Sequence, residues 1–230
     1  MTAFPTETYK GSNKSHRKFR DTYGYLNALY YLVVSCRSQL ENRLSEDIKK
    51  PGIAVGVVTH PISNTQFQGV FVHKEDARQM AADFGCFLAT FQRQTIISSY
   101  RVLMIYLTEF LLEISDRHLV TLDKNQLRRL SEGFVSSKMI GDMYEAIGIP
   151  IATDAHEKEK LAALAATRNV IEHNDGKVNE EYLKITRASL QVGDFAPAGS
   201  KEVGEALAIA EWLSDSVNKR GLKRWPELTN

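Results

Sequence analysis

The run Thr95–Ile114, TIISSYRVLMIYLTEFLLEI, constrains the chain more than any other stretch. It has the length of a bilayer crossing, yet Arg101 and Glu109 fall inside it. Each charge at mid-bilayer costs about 2.5–3.5 kcal/mol or more, so the run reads as a buried helix of a soluble fold and no membrane partner is expected. The bulk composition agrees. Of 230 residues, 43% are hydrophobic and 25% charged, enough for one generous domain or two small ones with a real core. A formal charge of +1 gives no global field toward nucleic acid or membrane, so any such contact has to come from a local patch. Cys36 and Cys86 form no disulfide framework and have no metal-ligand spacing, and their apolar neighbours mark them as buried small hydrophobes. MTAFPTETYK has no apolar segment of the signal-peptide kind, and a reducing cytoplasm is the expected setting.

Along the chain, residues 1–12 read as a loose polar arm. A helix is expected from Ser15 to Lys50, with Leu26, Leu29, Tyr30, Val33 and Val34 on one face and Pro51-Gly52 as its stop. IAVGVVTH and QFQGVFV are rich in β-formers and flank PISNT, which predicts a small hairpin insert over 53–72. A second long helical stretch covers Lys74–Arg117, with a break expected near the β-branched and serine cluster Thr95–Ser99. Phe84, Phe87, Leu88 and Phe91 make one apolar stripe of it, continued in kind by Leu103, Tyr106, Leu107 and Phe110. A shorter helix is expected over Ser136–Ile147, before Gly148 and Pro150, and a last one over Ser200–Lys219. The best-signalled helix begins at Thr153 or Asp154 and stops at Asn174-Asp175-Gly176. The expectation is one mostly helical domain over 1–230 with a hairpin insert.

Several chemistries leave no trace. There is no Gly-rich phosphate loop, no Walker lysine and no G-x-S-x-G elbow. HEKEK at His156 lacks the second histidine of a zinc-protease helix, and no Cys, His and acid cluster has ligand spacing, so no metal or cofactor is expected.

What remains is RNVIEHNDG, Arg168–Gly176. Leu161, Leu164, Arg168 and Ile171 follow at steps of three, four and three, which aligns Arg168 with an apolar stripe. An arginine there needs an acid partner or a cleft. Asn169 and His173 are four apart and share a face, and His173 lies in the last turn, where the helix dipole favours an imidazolium. Two readings are open: a structural Arg–acid pair beside a capping histidine, or a site that holds a phosphate and moves a proton.

RNVIEHNDGKVNEEYL, Arg168–Leu183, resembles the R-N-x-x-x-H signature of the HEPN superfamily, helical domains common in prokaryotic toxins and defence ribonucleases. The resemblance places Arg168, Asn169 and His173 on the motif's arginine, its following polar residue and its histidine. It implies an all-α, HEPN-like helical bundle and a homodimer in which two motifs share one cleft. The implied activity is metal-independent cleavage of an RNA substrate to 2′,3′-cyclic phosphate and 5′-hydroxyl ends, with an antitoxin as a further partner protein. The chemistry matches the residue types: an imidazole transfers a proton near neutral pH, an arginine fork stabilises phosphoryl charge, and Asn169 orients either. The chain departs from a minimal unit of the family in its length and its hairpin. The alternative is a catalytically inactive HEPN-like dimer that binds a nucleotide or a partner.

Other features are secondary. KGSNKSHRKFR, Lys10–Arg20, holds five basic residues and no acid; Lys14, Arg17, Lys18 and Arg20 are candidates to grip an RNA backbone, against the plainer reading of a solvated helix start. NKRGLKRW, Asn218–Trp225, is a second basic run of the same kind. Arg101 and Glu109 are open to pairing with each other, with Arg168 or with a partner chain, and a structural ion pair is the plain reading.

Overall fold

The computed structural model describes residues 12–49, 57–59, 66–68, 74–133 and 136–229. Helix accounts for 77% of the described residues, an all-α class. The helices are α1 (Lys14–Lys49), α2 (Lys74–Asp116), α3 (Lys124–Glu132), α4 (Ser137–Ala146), α5 (Ala155–His173), α6 (Glu180–Thr186) and α7 (Ser200–Arg224), followed by a 3-10 turn, Pro226–Thr229. Two three-residue strands, β1 (Val57–Thr59) and β2 (Gln66–Gln68), pair antiparallel with Val57 opposite Gln68. The remainder of the expected 53–72 insert, the Pro51-Gly52 stop and the 1–11 part of the arm lie outside the described residues.

The chain divides into two compact units, Met1–Asn27 with Gln92–Asn230, and Ala28–Phe91. In the smaller unit Tyr30 is buried and stacks on Phe91 with ring centroids 6.3 Å apart, and Phe91 stacks on Phe87 at 6.1 Å. Cys86 is exposed, which corrects its expected burial: Leu88 takes the buried place on this stretch of helix. The Cys36 side chain lies outside the described residues.

The larger unit is organised on the second half of α2. Leu103, Tyr106, Leu107, Phe110, Leu111 and Ile114 are all at most 1% exposed. From α1, Phe19 brings its ring within 5.4 Å of Tyr106. From α4, Tyr144 stacks on Phe110 at 6.1 Å and donates its hydroxyl to the Leu107 carbonyl at 2.9 Å. The stretch Gly85–Asp116 is long and apolar enough to cross a membrane by length and composition, and 56% of its most apolar window is buried inside the fold.

The break expected near Thr95–Ser99 does not occur; α2 runs through it. Ser99 donates its hydroxyl to the Thr95 carbonyl at 2.8 Å, and Thr95, Ile96, Ile97 and Ser99 are buried. Tertiary packing there overrides weak helix propensity.

The N-terminal end of α1 is tied down from other helices. Glu113 of α2 accepts from the Lys14 and Ser15 amides at 3.2 and 2.9 Å and from the Ser15 hydroxyl at 2.6 Å, so a carboxylate satisfies the free amides of the first turn. Asn13 caps the His16 amide at 2.7 Å and donates to Asn218 of α7 at 3.0 Å, and His16 Nε2 meets Asp215 at 2.9 Å. Ser12, expected in the loose arm, is buried and 3.1 Å from His16 Nδ1.

Two helices were not expected. α3 opens on a capping box between Asp123 and Gln126, and α6 on the Asn179 side chain, which accepts from the Tyr182 amide. The last helix also extends beyond Lys219 to Arg224.

Gly221 of α7 faces Phe110 so closely that an added Cβ would lie 2.5 Å from the ring Cζ. Gly221→Ala should therefore cost about 1–3 kcal/mol through overpacking, read as a lower melting temperature. Gly204→Ala, on the same helix with nothing within 4 Å of the added carbon, should be neutral or stabilising by up to about 1 kcal/mol. Equal melting temperatures for the two variants would refute this account of α7 packing.

Candidate functional site

The site begins with what holds α5 in place. Asp154 caps its first turn by accepting from the Glu157 amide at 2.8 Å, while Glu157 reaches back to the Thr153 amide at 2.6 Å. At the other end the Asn174 and Gly176 amides both return to the Val170 carbonyl, at 3.1 and 2.8 Å. The turn requires left-handed backbone at Asp175 (φ 51°) and Gly176 (φ 80°), which is why Asn-Asp-Gly stops this helix. Behind it, Ala166 and Val170 pack with Val178, Tyr182 and Ala196 in a small apolar cluster that braces the end of α5 against α6.

On that braced end the three motif side chains converge. Arg168 Nη1 donates to Asn169 Oδ1 at 2.9 Å and lies 3.3 Å from His173 Nε2. A guanidinium only donates, so this contact is a hydrogen bond in the tautomer whose Nε2 carries the lone pair. The His173 side chain is 65% exposed, whereas that of Arg168 is 22% exposed. The Arg168 guanidinium lies over the Tyr100 ring, with Cζ 5.9 Å from its centroid.

Glu172 completes the cluster and was not singled out from the sequence. Its Oε2 pairs with Arg168 one turn back, its Oε1 pairs with Arg101 of α2, and Oε2 is 3.9 Å from His173 Nε2. The i,i+4 spacing of Arg168 and Glu172 was the available signal. The Arg101 contact joins residues 71 apart and carried none. Arg101 thus pairs with neither Glu109 nor Arg168 directly; Glu109 pairs with Lys18.

A cleft of about 840 Å³ opens beside these groups. Arg101, Arg168 and Asn169 stand on its wall together with the apolar Met104, Ile105 and Leu130, and Ile105 is 54% exposed. Its size is that of a site for a small organic ligand or part of a larger one. A second groove, about 420 Å³, lies between α5 and α7 and holds none of the motif residues. There Trp212 is 63% exposed and donates its indole N–H to Glu157 at 2.9 Å. Hydrogen bonds from the Thr153 amide and the Trp212 indole hold the Glu157 carboxyl down at about 2.

The basic stretch at the start of α1 is largely engaged within the chain. Lys18 pairs with Glu109, Arg20 with Glu211 and, at 4.0 Å, with Asp215, and Arg17 donates to the Ser12 carbonyl at 3.2 Å. The Lys14 amide goes to Glu113. In the second basic run Arg220 donates to the Ile151 carbonyl at 2.9 Å and Arg224 lies over the Trp225 ring. Among the described residues, no group of three or more His, Cys, Asp or Glu is placed to hold a metal ion.

No family model matches the chain, and no curated protein or solved structure matches it.

The geometry separates the roles of the neighbouring side chains in stability. Glu172→Ala leaves two guanidiniums facing each other without their shared carboxylate and should cost about 1–3 kcal/mol. His173→Ala, at an exposed helix end, should stay within about 0.5 kcal/mol of the parent protein. Denaturant melts of the two variants measure the difference; an unchanged midpoint for Glu172→Ala would show that the bridge contributes nothing to folding.

Proposed function

We propose that the chain is a metal-independent endoribonuclease of the HEPN type, working in the cytoplasm as a homodimer in the role of a toxin or phage-defence protein. The observation that carries this reading is the convergence of Arg168, Asn169 and His173. Arg168 Nη1 lies 2.9 Å from Asn169 and 3.3 Å from His173, on the wall of an open cleft. The RNA backbone supplies the nucleophile itself. The 2′-hydroxyl attacks the adjacent phosphorus, a new P–O bond closes the 2′,3′-cyclic phosphate, and the bond to the 5′-oxygen breaks.

In this mechanism His173 Nε2 takes the 2′-hydroxyl proton. Arg168 turns part of its fork from His173 to the non-bridging phosphate oxygens as charge builds on them. Release of Nε2 by the arginine and approach of the 2′-hydroxyl are then one exchange of donors. Asn169 keeps Arg168 Nη1 on the side of the helix that carries His173. The departing 5′-oxygen needs a proton from a second acid, and a two-fold arrangement supplies one from the partner's His173. The exposure of His173 and Ile105 beside the cleft supports such an isologous contact.

Three measurements test the reading. RNA incubated with the protein in excess EDTA should be cut to 2′,3′-cyclic phosphate ends; activity that disappears with chelator and returns with magnesium or manganese contradicts the mechanism. Light scattering at micromolar concentration should give a dimer, and a monomer would remove the shared site. His173→Ala and Arg168→Ala should each lose about 10²–10⁴ in cleavage rate, with the double variant little worse than either because the groups act as one unit. Arg168→Lys should rescue poorly for want of the planar fork. A folded His173→Ala that cuts RNA at the parent rate refutes the enzyme reading and leaves a binding module.

A further inference from the structure

Glu172 does more than neutralise Arg168. One of its carboxylate oxygens pairs with Arg101 of α2 and the other with Arg168 of α5, so a single acid yokes two guanidiniums that come from different helices. The two arginines differ in how they are held. Arg168 is 22% exposed, lies over Tyr100, and commits Nη1 to Asn169 and His173. Arg101 is 56% exposed, and its Nη2 is the nitrogen that meets Glu172. Both arginines stand on the wall of the same 840 Å³ cleft.

We infer that Arg101 and Arg168, yoked by Glu172, form a two-arginine seat for one phosphate of a single-stranded RNA at the mouth of the cleft. The charge count supports it. Within the yoke, two guanidiniums against one carboxylate leave one positive charge over, which one phosphodiester balances; of the other acids on the cleft wall, Glu109 is paired with Lys18 and Glu132 lies on α3. Glu172 need not leave for this to happen: Arg101 meets it through Nη2 alone, and Arg168, whose Nη1 faces Asn169 and His173 and whose Nε is buried, has a second Nη2 hydrogen beside the one that meets Glu172. The carboxylate instead fixes the spacing of the two forks before the ligand arrives, so less side-chain entropy is lost on binding.

The position of the seat also suits a strand that passes through the site. His173 Nε2 is 3.9 Å from the yoking oxygen and 3.3 Å from Arg168, so a phosphate held between the arginines lies alongside the proton-transferring group. The cleft continues past Met104, Ile105 and Leu130, apolar walls against which a base attached to that phosphate can lie. Arg101 acts here as a binding residue for the strand. The choice of RNA as the ligand rests on the ribonuclease reading, while the seat itself is a statement about phosphate binding.

The experiment separates the two. A fluorescein-labelled single-stranded RNA with 2′-O-methyl sugars cannot be cut, and its affinity is read by anisotropy over a series of salt concentrations. Arg101→Ala and Arg101→Gln should each weaken binding about tenfold, and each should lower the slope of log K against log salt by about 0.7, the change for one lost contact on a single strand. Arg101→Gln keeps a donor for Glu172 and so guards against a folding defect in the alanine variant. Arg128→Ala, an exposed arginine on α3, should bind as the parent does. Cleavage of the unmodified RNA by the parent protein is measured in parallel. Binding without cleavage that is weakened in both Arg101 variants keeps the seat and sinks the ribonuclease reading. Cleavage by the parent with unchanged affinity and slope in both variants sinks the seat and keeps the ribonuclease. A parent protein that does not bind the modified RNA overturns the seat.

Discussion

The larger unit depends on one buried surface, the second half of α2. Six side chains from Leu103 to Ile114 are essentially removed from water, and burying each apolar side chain of that size contributes about 1.5–3 kcal/mol. Because α2 is covered on several sides, the helices around it are positioned by contact with it. Tyr144 anchors α4 through a hydrogen bond to the Leu107 carbonyl, and Gly221 lets α7 approach Phe110. Tyr100 and Arg101, on the turns just before this core, meet the end of α5. The apolar run that restricts what the chain can fold into is thus also the frame from which the candidate site is measured.

The polar residues on and near α2 have a second effect, on how the basic segments are used. Glu109 and Glu113 of α2, with Glu211 and Asp215 of α7, receive Lys18, the α1 amides, Arg20 and His16. Burial raises the Asp215 carboxyl, and the His16 hydrogen bond with the positive charge of Arg20 outweighs it, leaving the group below its ordinary range. Its contribution to stability is therefore present above the ordinary aspartate range near 3.9 and fades as pH falls through the lower folded value. Within the basic run that looks like a backbone grip in the sequence, Lys18 and Arg20 are spent in ion pairs that hold α1 to α2 and α7. The two arginines at the cleft are differently placed, since they share a single acid.

Local signals were the legible ones. Asp154 at the start of α5 and Asn174-Asp175-Gly176 at its end could be read because caps and left-handed turns are set by a few adjacent residues. The capping box Asp123–Gln126 and the Asn179 cap were written in the same code, but α3 and α6 are only 9 and 7 residues long, too short to show a period. Thr95–Ser99 misled in the opposite direction, because propensity is local and the burial that overrides it is not. The motif residues share a helix, so their convergence followed from spacing. Glu172 could have been found by the same i,i+4 rule, whereas its bond to Arg101 depends on how α2 and α5 pack.

The resulting site has a particular electrostatic logic. The C-terminal end of α5 presents carbonyl groups and favours cations there, and His173 lies in that last turn with Arg168 just before it. Left alone, two guanidiniums in this place would repel each other. Glu172 removes most of that repulsion while leaving one positive charge, and does so from the interior side, at 20% exposure, with His173 on the exposed side. A structural ion pair on Arg168 is therefore compatible with the proposed phosphate-handling role: the pairing to Glu172 is what makes an arginine in this apolar stripe tolerable, while Nη1 of the same fork faces Asn169 and His173.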